Sequence, residues 1–147
     1  SQSKKLIENV ICYYGSDGLE KSLQDAEIVV LLLPSTNETE NIINQKTINY
    51  LSNKAVIINP GRGPLIDEEA LLEGIENGKI GHATLDVFRE EPLPENHVFW
   101  AHPKITVTPH IASETRPETA SKVIATNIDR FEKGQPLLNQ VDFKAGY

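Results

Sequence analysis

The stretch Ala55-Val56-Ile57-Ile58-Asn59-Pro60-Gly61-Arg62-Gly63 decides the fold. A short β-branched apolar run stops at a polar residue, a proline and an arginine set between two glycines. The run is too short for a buried helix and reads as a strand. Its unbroken apolar character suits burial on both faces, as in a parallel sheet covered by helices. The same grammar recurs on either side. Ile28 to Leu33 is continuous and ends at Pro34; His82 to Val87 leads into Phe88-Arg89-Glu90-Glu91-Pro92; Ile105 to Thr108 leads into Pro109-His110. Val10 to Tyr14 is a shorter run of the same kind and predicts a further strand.

The intervening segments are helical in pattern. Asp67 can cap a helix whose first turn carries Glu68 and Glu69, favourable beside the positive helix start. Leu71, Leu72 and Ile75 give that helix an inner face, and Gly78 is its stop. Thr115-Arg116-Pro117-Glu118 has capping-box spacing with proline in the first turn, and Ala120, Val123, Ile124, Ile128 and Phe131 recur at helical spacing before Gly134. Leu19 to Ala26 and Gln45 to Leu51 predict shorter helices, while Gln135 to Tyr147 shows no period. The fold class is therefore α/β, a partial doubly wound, Rossmann-like parallel sheet with ligands expected at the carboxyl edge of its strands. A strand, a Gly-x-Gly-x-x-Gly turn and a helix normally open such a domain. Here Gly15 and Gly18 are isolated and Gly61-Arg62-Gly63 continues wrongly, so either the fold is not of that type or its first strands and glycine-rich turn are missing.

Composition narrows the function classes. The 147 residues, 39% apolar and 24% charged, read as an ordinary soluble globular domain. A net charge of −7 offers no basic patch for nucleic acid. The longest apolar run falls far short of a membrane span and there is no signal-peptide pattern, which makes the cytoplasm the expected compartment. The single cysteine, Cys12, lies in an apolar stretch and reads as a core residue. The chain has no methionine and opens on Ser1-Gln2-Ser3-Lys4-Lys5, which suggests a piece of a longer protein.

Arg62, Glu91 and His110 should emerge at one sheet edge, where a guanidinium, a carboxylate and an imidazole can bind a carboxylate and donate a proton. Arg62 between two glycines fits a bidentate carboxylate clamp and a surface arginine in a tight turn about equally well. Glu91 alone reads more readily as structural; Pro92 holds it extended. Glu90 reads as an ordinary loop carboxylate. Asp86, between Leu85 and Val87, calls for a specific hydrogen-bond partner. His110 shares the strand-end level with Arg62 and Asp86, and a carboxylate such as Glu91 beside it would favour the imidazolium as a proton donor. His82, His97 and His102 read as surface or satisfied core residues. No histidine pair has metal-ligand spacing, so no metal is expected, and no Gly-x-Ser-x-Gly elbow supports a serine hydrolase.

Taken together, these segments resemble the D-2-hydroxyacid dehydrogenase family, most closely its glyoxylate/hydroxypyruvate reductase A type. The resemblance runs through Leu32-Leu33-Pro34-Ser35-Thr36-Asn37-Glu38-Thr39, Ile57 to Gly63, Ala83-Thr84-Leu85-Asp86-Val87-Phe88, Glu91-Pro92-Leu93-Pro94, Phe99-Trp100-Ala101-His102-Pro103 and Thr108-Pro109-His110-Ile111-Ala112. Glu114 to Pro117 and the ending Val141 to Tyr147 look like the reductase A type in particular. The family implies that Arg62 binds and polarises a 2-oxoacid, that His110 is the general acid paired with Glu91, and that Asp86 holds the nicotinamide carboxamide. Leu33, Pro34, Pro60, Gly61 and Arg62 would line the cofactor beside His110. Ser1, Ser3 and Lys4 would meet a 2′-phosphate, which favours NADP, with NAD as the alternative; Gln2 stands where the subgroup tends to carry arginine. Pro60 replaces the more usual small residue.

The resemblance further implies that residues 1–113 are the carboxyl-terminal two-thirds of the NAD(P)-binding domain, and that 114–147 are a long helix and tail returning to a substrate domain. The apolar face of that helix would then lack its partner, and the full-length protein would form a homodimer. The implied activity is reduction of glyoxylate or hydroxypyruvate to glycolate or glycerate, with the isolated segment inactive. Two alternatives stand: another D-2-hydroxyacid dehydrogenase, and a cofactor-sensing, corepressor-like binding module of the same fold.

Overall fold

The computed structural model of the chain describes residues 5–143. Those residues belong to two compact units, Ser1–His110 and Ile111–Tyr147. In the first unit, β1 (Ile28–Val30), β2 (Ala55–Asn59), β3 (Ile80–Leu85) and β4 (Ile105–Val107) form one sheet in that spatial order. Every neighbouring pair is parallel. α1 (Gly15–Leu23) precedes β1, and each later strand is reached through a crossover: α2 (Gln45–Ile48) before β2, a 3-10 turn at Gly63–Leu65 and α3 (Glu68–Glu76) before β3, and a 3-10 turn at Val98–Ala101 before β4.

Register fixes the functional edge. Asn59 is level with Leu85, and Leu85 with Val107. The ladder continues beyond β1 through the Leu31 N–H, which donates to the Ile58 carbonyl at 2.9 Å. The segments that follow these strands consequently start from a common rim.

The core is built from the inward face of the strands (Val29, Leu31, Ala55, Ile57, Ile80, Ala83, Leu85, Ile105) against Ile48, Leu51, Leu71, Ile75 and Phe99. In α3, Ala70, Leu71, Gly74 and Ile75 are buried, which is the 3.6-residue stripe in place, while Leu72 lies half-buried beside it. Asp67 caps α3 as expected, its carboxylate accepting from Glu69 N at 3.1 Å and Ala70 N at 3.2 Å. Gly78, with φ +79°, follows the helix end at Asn77.

Several expectations are corrected. Val10 to Tyr14 forms no strand. Asn9 takes φ +61° and the Val10 N–H turns back onto the Ile7 carbonyl at 3.1 Å, so the run closes on its own neighbour and misses the sheet. Cys12 is accordingly half-buried rather than in the core. The strands are not uniformly buried on both faces: Ile28 and Val30, pointing opposite to Val29, are 64% and 51% exposed. An unbroken apolar run reports β propensity and cannot say whether a second layer covers it.

The second unit contains α4 (Pro117–Glu132), which ends before Gly134 at φ +63°. Proline takes the first helical position as expected, but Arg116 is the cap residue, Thr115 stays outside, and no side-chain cap bond forms. None of the described residues of α4 is buried; Ile124, Ile128 and Phe131 stand open to solvent. The aperiodic tail folds back on this helix: Asn127 exchanges two hydrogen bonds with the backbone of Leu138, and the Arg130 Nε–H donates to the Pro136 carbonyl.

Because one carboxylate satisfies two otherwise orphaned N–H groups at the start of α3, Asp67→Ala should lower unfolding stability by about 1 kcal/mol. Urea unfolding reads this directly, and Asp67→Asn should restore most of the loss.

Candidate active site

The rim carries the three residues singled out from the sequence. After β2, the buried Asn59 shapes the arginine turn: its Nδ2 donates to the Arg62 carbonyl at 2.9 Å and its Oδ1 accepts from Gly61 N at 3.2 Å. This is an Asx-type turn, in which a side chain replaces the next rung of the ladder. Gly61 and Gly63 are needed for close approach. A Cβ at Gly61 would come within 2.7 Å of the Leu31 carbonyl oxygen, and one at Gly63 would overlap the Phe88 carbonyl. The Arg62 side chain is exposed, with Nη1 donating to the Gly61 carbonyl at 2.6 Å.

After β3, Asp86 is buried, and its carboxylate accepts a hydrogen bond from the Thr108 hydroxyl at the end of β4. This is the specific partner that its apolar neighbours called for. Glu91 then turns back on the chain. Its Oε1 accepts from Phe88 N at 2.9 Å and its Oε2 lies 2.8 Å from His110 Nδ1. The Glu91-Pro92 peptide bond is cis. His110 adopts φ +54°, a left-handed conformation uncommon for a side-chain-bearing residue. Strand-end geometry thus delivers the imidazole to Glu91 rather than out along β4.

Glu91 is held below the usual carboxylate range, chiefly by the Phe88 N–H, and further by the hydrogen bond and charge of His110 and the charge of Arg62; partial desolvation opposes these. One carboxylate therefore senses both cationic partners. The remaining histidines have ordinary partners. His82 bonds the Thr106 hydroxyl, His97 accepts from Phe99 N and faces Glu68, and His102 accepts from Lys104 N. Among the described residues, no group of three or more His, Cys, Asp or Glu side chains is arranged to hold a metal.

Leu33 and Pro34 leave the sheet at the same edge. Their turn is organised by Thr39, whose hydroxyl donates to the Pro34 carbonyl at 2.7 Å and accepts from Thr36 N at 2.9 Å. Ser1, Ser3 and Lys4 lie outside the described residues. Sequence reasoning passed over Asn59 and Thr108 as functional side chains. The signal was available, since each is a polar residue closing an apolar strand; Asn59 bonds within its own turn, while the partner of Thr108 lies on another loop.

A carboxylate, a histidine and an arginine at the carboxyl edge of parallel strands form an arrangement that can bind a ligand and exchange a proton with it. The comparisons sharpen this. Residues 2–112 match the family model of the D-isomer specific 2-hydroxyacid dehydrogenase NAD-binding domain. The chain belongs to that family. It is 45% identical over all 147 residues to glyoxylate/hydroxypyruvate reductase A of Photorhabdus laumondii, spanning 47% of that protein. The chain thus covers about half the length of the curated relatives it matches. A D-isomer specific 2-hydroxyacid dehydrogenase from Xanthobacter autotrophicus, solved with NADPH and MES, superposes with a TM-score of 0.96 at 45% identity, covering 100% of this chain and 61% of that one. The NADPH-dependent glyoxylate/hydroxypyruvate reductase of Sinorhizobium meliloti, solved with NADP and sulfate, gives 0.94 at 39%, covering 100% of this chain and 48% of that one. These neighbours agree with the parallel α/β architecture and the NAD-binding class.

The depressed Glu91 pKa carries a signed consequence. Its contribution to stability is present above the unfolded-state carboxylate pKa and is lost as pH falls through the lower, folded-state value. Urea midpoints measured across the acidic range should therefore fall more steeply for the native protein than for Glu91→Gln, the two converging at the acid end.

Proposed function

We propose that this chain supplies the acid–base and nicotinamide-facing part of an NADP(H)-dependent reductase of small 2-oxoacids, with glyoxylate and hydroxypyruvate as substrates. The observation that carries this reading is the 2.8 Å contact between His110 Nδ1 and Glu91, set in the field of Arg62 at one sheet edge. Glu91 orients the ring by its bond at Nδ1, leaving Nε2–H to donate a proton to the carbonyl oxygen at C2. Arg62 has the planar fork that binds the substrate carboxylate through two parallel hydrogen bonds and polarises the adjacent carbonyl. Asp86 accepts from the carboxamide of the cofactor, alongside the bond it accepts from the Thr108 hydroxyl. The bound nicotinamide supplies the hydride that reaches C2. The backbone of Leu33, Pro34, Pro60 and Gly61 lines its approach.

The electron and proton count closes with one hydride and one proton added across the carbonyl, giving the 2-hydroxyacid and oxidised cofactor. NADP is favoured over NAD because Ser1, Ser3 and Lys4 include no acidic group to oppose a 2′-phosphate. Residues 1–113 serve as part of the cofactor domain and 114–147 as the return to a substrate domain, in a cytoplasmic homodimer. The exposed Ile124, Ile128 and Phe131 on α4 are consistent with a partner for that helix elsewhere in the full-length protein.

In the full-length protein, glyoxylate-dependent NADPH oxidation should be measurable and should fall as alkali removes the imidazole proton. A rate flat from mildly acidic to strongly alkaline pH would refute the role of His110. His110→Ala should lower turnover by at least ~10²-fold. Nucleotide binding without turnover on any 2-oxoacid of a substrate panel would instead favour a cofactor-sensing module. Turnover confined to other oxoacids would favour a different dehydrogenase.

A further inference from the structure

Arg89 is a residue that neither the sequence motifs nor the site roles above account for, and it occupies a singular position. It lies between Phe88, whose N–H holds one oxygen of Glu91, and Glu91 itself. Its side chain turns away from His110 and crosses to two other loops. Nε and Nη2 both donate to the Ile66 carbonyl, at 3.2 and 3.1 Å, and Nη2 also reaches the Pro64 carbonyl at 3.3 Å. Nη2 further donates to Asn41 Oδ1, and Nη1 pairs with Glu40 at 3.4 Å.

The loops it joins are already in backbone contact. Asn41 N donates to the Pro64 carbonyl at 2.9 Å, and Ile43 bridges Ile66 in parallel fashion. Gly63 meets the Phe88 carbonyl so closely that no side chain fits between them. The guanidinium therefore closes a ring consisting of the Arg62 turn, the 40–43 loop and the Phe88–Glu91 turn.

We propose that Arg89 is a positioning residue for the reductase reaction: by clamping the Phe88–Glu91 turn to the Pro64 and Ile66 carbonyls, it fixes Glu91 at bonding distance from His110 and sets the spacing between His110 and Arg62. Planar geometry matters here. One fork serves two carbonyls on one loop and an amide oxygen on another, whereas an ammonium on a lysine stem is a single point donor. Loss of the fork removes the turn's side-chain bonds to the Ile66 and Pro64 carbonyls and to Asn41, leaving the burial of Phe88, the Gly63 contact and the Glu91–His110 bond itself. The charged groups around the imidazole are Glu91, bonded to it, and Arg62, whose charge reaches Glu91. A displaced Glu91 would lose its hydrogen bond to the ring.

This inference rests on the reductase reading, and the test separates the two. In the full-length protein with NADPH and glyoxylate, Arg89→Ala should lower kcat by between about tenfold and a hundredfold, as small misplacements of catalytic groups do. It should also move the alkaline limb of the kcat profile to lower pH, and change KM less than kcat. Arg89→Lys should recover only part of the rate and of the pH shift. Circular dichroism and the thermal midpoint monitor folding, and Glu40→Gln, which removes only the outermost pairing, should leave the pH profile unchanged. If Arg89→Ala is folded with the parental kcat and pH profile while His110→Ala is inactive, the positioning role is overturned and the reductase reading stands. If His110→Ala is as active as the parent, the reductase reading itself fails.

Discussion

The structure depends on how closely the strand-end loops can approach one another. Parallel strands deliver their exits to one rim, but a rim is not a site until the loops touch. That contact is made by backbone against backbone at Gly63 and Phe88, and again at Gly61 and Leu31. Glycine is required at both points because any Cβ would enter the space of a carbonyl group on the neighbouring loop. Asn59 supports the approach by bending the arginine turn with its own amide, buried where water could not satisfy it.

On that scaffold the charges interlock. Glu91 is the hub: it takes a backbone N–H with one oxygen and the imidazole with the other, while Arg62 contributes from further off. An exposed ion pair by itself has little energetic weight. Here the pair is oriented by a backbone hydrogen bond, a left-handed histidine and a loop anchored on its far side, so its value lies in geometry more than in stability. The same arrangement keeps the carboxylate ionised beside the ring, chiefly through the Phe88 N–H.

Each unit also leaves apolar surface uncovered. Ile28, Val30 and Leu32 alternate with the buried Val29 and Leu31, and in the second unit α4 presents Ile124, Ile128 and Phe131 without burying them. The relatives are about twice as long as this chain.

The sequence by itself determined the strands from Ile28, Ala55, His82 and Ile105 onward, the Asp67-capped helix, and the candidacy of Arg62, Glu91 and His110, because these depend on local propensity and on motif residues adjacent in the chain. It misread Val10 to Tyr14, since a short apolar run carries strand propensity whether or not a neighbouring strand is there to pair with it, and Asn9 turned this one back on itself. It also assumed two-sided burial, which is a property of layers and not of runs. The pairing of Thr108 with Asp86 and the reach of Arg89 across two loops were decided only by tertiary structure. A hydrogen bond between residues 22 or 23 positions apart leaves no periodic trace in the chain; it exists because parallel pairing brings distant strand ends to one level.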